Sequence, residues 1–257
     1  MPYKRKTAYA GKFIEETKYH SFKHPPLKGT PAMPRRNKNS LTTAEQQKVN
    51  ERMAEENLRL LIMENFKSDD YYLTLTYADA VTPEECKEAI KNFIRRLSYF
   101  YKKRKVELKY IVINEYRPQL HHHVLINQEF ILKTKDLKIL WPQGFHKRES
   151  YQGEAIDAKR IASYFVKEER AAYYLDNKVF KRRWTPSRNL RKPKVKKKVI
   201  ASCTWQKAIK PPKGYYLDKS SIRQGFTVFG YPYQFYRFIR CKDDDDDKYT
   251  GGRKDGG

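Results

Sequence analysis

Two strand-like runs, Leu108 to Asn114 and Leu120 to Asn127, are separated only by a few residues around Tyr116-Arg117-Pro118-Gln119. A link that short cannot carry a parallel crossover, so the runs pair as an antiparallel hairpin. The second run holds three of the chain's six histidines in an otherwise apolar strand. Side chains alternate along a strand, so His121 and His123 share one face, while His122, Val124 and Ile126 point to the other. Two imidazoles on one face, two residues apart, can hold one divalent cation through their ring nitrogens.

The acidic residue best placed to join them is Glu115, at the end of the preceding strand. An odd number of residues in the turn puts Glu115 directly across from His121, and an even number puts Asn114 there. A carboxylate beside two imidazoles suits Mn²⁺ or Mg²⁺ with positions left for a phosphate oxygen, and the same ligand types also admit Zn²⁺. Further on, Ile161-Ala162-Ser163-Tyr164-Phe165-Val166-Lys167 puts Tyr164 and Lys167 three apart on one helical face. A phenolate can attack a phosphodiester when positive charge balances it, and Lys167 and a bound cation are candidates for that charge.

The surrounding periodicities supply a sheet and its cover. Tyr71 to Tyr77 alternates as a strand, with Leu73 and Leu75 toward the core and Thr74 and Thr76 on the opposite face. Thr82-Pro83-Glu84-Glu85 starts a helix with proline at its first position, and Ile90, Phe93, Ile94, Leu97 and Tyr101 form its apolar stripe. A helix from Thr42-Thr43-Ala44-Glu45 to about Asn65 precedes them, opened by a capping box. After the hairpin come a short helix from Thr134 to Leu140, a turn at Trp141-Pro142-Gln143-Gly144, and a strand from Phe145 to Tyr151. A last helix is capped by Asp157 and runs to about Leu175, with Ile161, Ala162, Phe165 and Ala172 buried. The expected fold is α+β, an antiparallel sheet with helices packed mainly on one face.

At 257 residues with a formal net charge of +25, the chain calls for a polyanionic partner, and aromatics interleaved with the basic clusters favour nucleic acid over a membrane surface. No apolar run approaches the roughly 20 residues that span a bilayer. Three scattered cysteines form neither a disulfide framework nor a thiolate site, which fits the cytoplasm. The composition divides the chain into a flexible basic arm over 1–40, a helix over 41–67 and an α+β domain over 68–178. A basic, aromatic-rich extension over 179–242 and an acidic, Gly-rich disordered tail over 243–257 follow. Thr74 and Thr76 are candidates to line the metal face or touch DNA, and Lys159, Arg160, Arg182, Arg183, Arg188 and Lys192 are candidates to track phosphates. No Gly-x-x-x-x-Gly-Lys-Ser/Thr loop occurs, so no helicase motor is encoded in this sequence.

A Thr-rich strand (Tyr72-Leu73-Thr74-Leu75-Thr76-Tyr77), a His-x-His strand (Leu120 to Val124) and a Tyr-x-x-Lys helix (Ala162 to Lys167), in that order, resemble the three motifs of the HUH endonuclease superfamily. Within it the chain is similar to single-tyrosine rolling-circle replication initiators of plasmids, prophages and integrative elements of Gram-positive bacteria. Asn65-Phe66-Lys67, Trp141-Pro142-Gln143-Gly144 and Ser187-Arg188-Asn189-Leu190-Arg191-Lys192-Pro193 look similar too. The resemblance implies an RNA-recognition-like sheet and a nicking and rejoining activity on single-stranded DNA at a replication origin, with strand separation left to a separate helicase, supercoiling or an extruded hairpin. His121 and His123 would bind the metal with Glu115 as third ligand, Tyr164 would form a covalent 5′-phosphotyrosine and free a 3′-OH, and Lys167 would position the site or balance charge. This sequence departs from the family in carrying His122 where a bulky apolar residue is usual, and in its short loop between Glu115 and His121. A relaxase or single-tyrosine transposase shares the chemistry, and a non-catalytic RNA or single-stranded DNA binder shares the sheet.

Overall fold

The computed structural model describes residues 2–20, 44–163 except 118, 184–226 except 207, and 230–241. In chain order the elements are β1 (Tyr3–Ala10), β2 (Phe13–His20), α1 (Ala44–Asn65), β3 (Tyr71–Thr76), α2 (Pro83–Lys103), β4 (Tyr110–Arg117) and β5 (Gln119–Ile126). Then come α3 (Thr134–Leu140), β6 (His146–Ser150), α4 (155–163), β7 (Trp184–Pro186), β8 (Lys194–Ile200), β9 (Tyr215–Phe226) and β10 (Pro232–Arg240). The strands form two five-stranded antiparallel sheets, so the α+β expectation holds. The chain divides into a central unit, Pro34–Lys192, and a terminal unit made of Met1–Met33 with Pro193–Gly257.

In the central unit the sheet order is β6-β3-β5-β4-β7. Strand β3 buries Tyr71, Leu73 and Leu75 and leaves Tyr72, Thr74 and Thr76 half-buried on its other face, as the alternation predicts. Leu73, Leu75, Val112, Val124 and Ile126 pack with the α2 stripe of Cys86, Ile90, Phe93, Leu97 and Tyr101 and with Leu137 and Leu140 of α3. Burying a side chain such as Phe93 or Leu97 completely contributes about 1.5–3 kcal/mol relative to exposure. Helix α2 starts where Thr82 accepts the Glu85 amide while the Glu85 carboxylate accepts the Thr82 amide, a reciprocal cap with Pro83 in the first turn. It ends in Lys102 and Lys103, and Lys105 turns the chain away at φ 57°.

Three expectations shift. Strand β4 is displaced two to three residues toward its turn from the predicted 108–114, because pairing with β5 continues to Arg117 opposite Gln119. Helix α4 begins at 155, two residues before the expected cap; the Glu154 carbonyl accepts from the Ala158 amide at 3.1 Å, and Asp157 lies within the first turn, paired with Arg160 at 3.5 Å. The rest of that predicted helix, with Phe165 and Ala172, lies outside the described residues, as do Thr42, Thr43 and the acidic tail.

The largest correction is in the terminal unit. Tyr3 to His20 is a β-hairpin rather than a flexible arm, and it pairs with parts of the expected extension in the order β8-β1-β2-β10-β9. Gly11, at φ 57°, and Lys12 make the tight turn between Ala10 and Phe13. Tyr3, Ala8, Ala10, Phe13 and Ile14 are buried, with Ile14, Tyr236 and Phe238 forming a small core with Leu217 and Ile209. Nine of the sixteen residues of β1 and β2 are polar or charged even with the tyrosines left out, so their strand pattern is weak. Their outer partners lie near residues 200 and 235, so nothing nearby in sequence announces them.

Candidate metal centre

The hairpin register pairs Glu115 with His121 and Arg117 with Gln119, the odd-turn alternative, so Glu115 and not Asn114 shares the face of His121 and His123. One carboxylate oxygen, Glu115 Oε2, lies 2.9 Å from His121 Nε2 and 3.0 Å from His123 Nε2. The three ligand atoms all fall within 4.8 Å of one another. The Glu115 side chain is 1% exposed, against 19% and 10% for the two imidazoles, so the group is sealed below and open on the imidazole side. Two imidazole nitrogens and a carboxylate converging on one point are a donor set that fits a divalent cation, with an open side for further ligands.

Neighbouring strands extend this face. Thr76 sits directly across from His121, and Thr74 from His123. Thr74 Oγ1 is 3.2 Å from His123 Nδ1. With the proton on Nδ1 and Thr74 accepting it, Nε2 turns its lone pair toward the Glu115 side, where it can ligate, the usual way an outer partner fixes a histidine tautomer. The Tyr72 ring stacks on His123 at 5.4 Å and 18°. Burial lowers the His123 pKa, with the Glu115 contact acting the other way.

His122 belongs to the other face, as alternation predicts. It is buried, with Nδ1 2.7 Å from Asn114 Oδ1 and Nε2 2.7 Å from the Tyr77 hydroxyl, and its ring packs edge-on against Tyr77 and Trp141. The neutral ring therefore donates from Nδ1 to Asn114 and accepts from Tyr77. Burial, then the charges of His121 and His123, push its pKa down to about 3.

A turn after α3 holds the end of β3. Trp141 Nε1 donates to the Thr76 carbonyl at 3.0 Å, and the Ala78 amide donates to the Gln143 carbonyl at 3.1 Å. At Gly144 a Cβ would meet the Thr76 carbonyl oxygen at 2.3 Å, so only glycine allows this approach. Phe145 and Thr76 then exchange amide-to-carbonyl bonds of 3.0 and 2.9 Å, a hydrogen-bonded ladder pair. The strand face therefore carries Glu115, His121, Thr76 and Phe145 in one row, and the Phe145 ring is 71% exposed.

Residues 70–169 match the family described as Replication-associated protein ORF2/G2P. The match is consistent with a rolling-circle replication initiator. It takes in β3, the histidine strand, α4 and the Tyr164–Lys167 motif, and leaves 1–69 and 170–257 outside. No curated protein and no solved structure matches the chain.

Within the matched replication-associated stretch the structure gathers Glu115, His121, His123, Thr74 and Thr76. Tyr164 and Lys167 lie outside the described residues, as do Arg182 and Arg183. Lys159 and Arg160 are exposed on α4, which Ser163 ties to α1 through Glu55 at 2.7 Å. Arg188 and Lys192 are exposed beyond β7, where Asn65 clamps the backbone of Arg191 through bonds of 2.7 and 2.8 Å. Two of the flanking pieces noted in the sequence thus meet each other. Sequence reasoning missed Phe145. The signal was present as an aromatic directly after the Gly144 turn, but placing it on the metal face needed the β3–β6 register.

Proposed function

We propose that this chain is a metal-dependent endonuclease and strand transferase that nicks single-stranded DNA at a replication origin and so initiates rolling-circle replication. The observation that carries the reading is the Glu115, His121 and His123 donor set, open on its imidazole side and lying inside the replication-associated match. A divalent cation held there, Mn²⁺ or Mg²⁺, would polarise a phosphate oxygen and offset the charge of the transition state. Thr74 orients His123, and Tyr72 packs on that ring, so the ligands are set before substrate arrives.

Tyr164 attacks the scissile phosphorus. A tyrosyl oxygen–phosphorus bond forms, the bond to the 3′ oxygen breaks, the phenol proton is lost, and the freed 3′ oxygen takes up a proton to become a primer 3′-OH. Lys167, three positions further along the sequence, balances the phenolate and phosphate charge. Phe145 offers an open ring at the edge of the site for an unstacked base. Thr76, Lys159, Arg160, Arg182, Arg183, Arg188 and Lys192 contact the DNA strand. The single nucleophilic tyrosine fits the initiators of Gram-positive plasmids, prophages and integrative elements. A cytoplasmic location and a separate helicase complete the reading. No helix among the described residues is long and apolar enough to cross a membrane.

The test is a labelled single-stranded oligonucleotide carrying the origin of the element that encodes the protein, incubated with protein and Mn²⁺ and run on a denaturing gel. A covalent protein–DNA adduct is expected with wild-type protein, and none with Tyr164→Phe, His121→Ala or added chelator. Binding without an adduct would reduce the protein to a single-strand binder. An adduct that persists in Tyr164→Phe would move the nucleophile elsewhere.

A further inference from the structure

In the terminal sheet, Lys198 of β8 lies directly across from Arg5 of β1, and Arg5 directly across from Lys18 of β2. Directly opposed residues share a face, so three cations stand side by side across three adjacent strands. On the other face, Lys197 is paired in register with Lys6. Strands β1 and β8 together carry seven basic residues, Lys4, Arg5, Lys6, Lys194, Lys196, Lys197 and Lys198, and no acidic one. Like charges directly opposed across strands destabilise a sheet. At Lys18 burial holds the pKa below the ordinary lysine range; the Glu16 carboxylate, 3.9 Å away, raises it, and the charge of Arg5 lowers it by less. Glu16 pairs with Lys18 at 3.9 Å and accepts from the Tyr236 hydroxyl, while Glu15 and Asp218 hold Arg237.

Lysines on an edge strand commonly guard it against pairing with another chain. That role accounts for β8 alone. In the finished sheet it gives no reason to set Arg5 beside Lys198, since a neutral residue on β1 would leave the edge protected and spare the repulsion. A polyanion laid along β8 and β1 removes the repulsion. Lys194, Lys196 and Lys198 share a face of β8 and span about 13 Å, at roughly 3.3 Å per residue. Single-strand sites interleave cations with open aromatic faces. Here Lys196 lies over the Tyr9 ring, which is itself 37% exposed, and buried Tyr3 packs against Trp205, so charge dominates this edge and a single aromatic ring lies open on it.

We propose that the β8–β1 edge of the terminal unit is a second DNA contact, which grips the phosphate backbone of duplex DNA through Lys194, Lys196, Lys198 and Arg5 without reading its sequence. It rests on the proposed action at an origin in one respect: the duplex held is the one flanking the nicked strand. The contact would anchor the protein beside the site that the central unit cleaves.

The test uses the full chain and a labelled random-sequence duplex, with affinity followed by fluorescence anisotropy over a range of salt. The triple variant Lys194→Gln/Lys196→Gln/Lys198→Gln is expected to bind at least about tenfold more weakly at low salt, with the slope of log affinity against log salt shallower by about 2–3. Lys198→Glu gives a sharper signature, because it places a carboxylate opposite Arg5. Free of DNA it should melt roughly 1–3 °C higher than wild type, yet bind duplex more weakly. An unchanged salt slope in the triple variant overturns the proposal, as does undiminished duplex binding by Lys198→Glu. Equal or tighter binding of single strands at this edge overturns the duplex assignment. Adduct formation on the origin oligonucleotide is scored separately. Its absence with the salt result intact overturns the nicking reading alone, and its presence with an unchanged slope overturns only the second contact.

Discussion

The Thr74 hydroxyl lies 3.2 Å from His123 Nδ1, and by accepting that nitrogen's proton it would leave Nε2 to a cation. Thr74→Val keeps the strand and the shape but removes that partner. It should weaken Mn²⁺ binding, read by isothermal titration calorimetry, on the order of 10–100-fold, with Thr74→Ser close to wild type. An unchanged affinity in the valine variant would dismiss the orienting role. His122 makes a different prediction. Its folded pKa is about 3 against 6.5 for the ordinary residue. Between those values the unfolded chain binds the extra proton, so stability falls as pH drops from 6.5 toward 3, by at most about 1.4 kcal/mol per pH unit. His122→Phe should start less stable at neutral pH, having stranded Asn114 and Tyr77, but lose less on acidification; parallel melting curves against pH would refute it. The split of the triplet was legible in the sequence because side-chain alternation is rigid. The third ligand was not, because Glu115 and Asn114 are exchanged by the parity of one short turn.

At the scale of elements, sequence signals worked where they were local and redundant. Helix α2 carries a reciprocal cap, a first-turn proline, an apolar stripe and a basic end, and the structure uses all of them. They failed where a signal was single. Asp157 resembles a cap, but the Glu154 carbonyl already closes the first turn of α4. Phe145 looked like the start of a strand, and only its ladder pair with Thr76 put it beside the metal face. That pairing depends on Gly144. Gly144→Ala drives a methyl into the Thr76 carbonyl and should cost about 1–3 kcal/mol in chemical denaturation, weakening Mn²⁺ binding as the end of β3 moves. Phe145→Ala should leave stability and metal binding alone while lowering affinity for a single-stranded oligonucleotide by about 1–3 kcal/mol, and Phe145→Trp should restore it. Equal affinity in the alanine variant would make the exposed ring an ordinary surface residue.

The molecule as a whole joins a centrally encoded unit to one assembled from both ends of the chain. The central unit was largely legible, since its strands and helices are neighbours in sequence and its core residues recur at the expected spacing. The terminal unit was not. Tyr3 pairs with Ile200 and Tyr19 with Tyr233, and Lys- and Arg-rich strands with few buried apolar residues give little pattern from which to infer such distant partners. Because β1 and β2 are interior strands of that sheet, deleting residues 1–20 leaves β8 unpaired and β9–β10 an isolated hairpin, which is marginal alone. Limited proteolysis should then cut within 194–240, while the Glu115 group still binds Mn²⁺; protection of 194–240 would show that the sheet does not need its centre.

That arrangement also sets a schedule for biosynthesis. The hairpin Tyr3–His20 leaves the ribosome well before the strands that flank it on either side, which are made nearly 200 residues later. At about 5–20 residues per second this is a delay of roughly 10–40 s, during which both edges of the hairpin stand open to wrong partners. Until those strands arrive β1 is itself an edge, and there its lysines and arginine would repel the same strand of a second nascent hairpin, a protection the finished sheet no longer needs. Expression yield, more than the stability of the finished protein, is where neutralising them would first be felt.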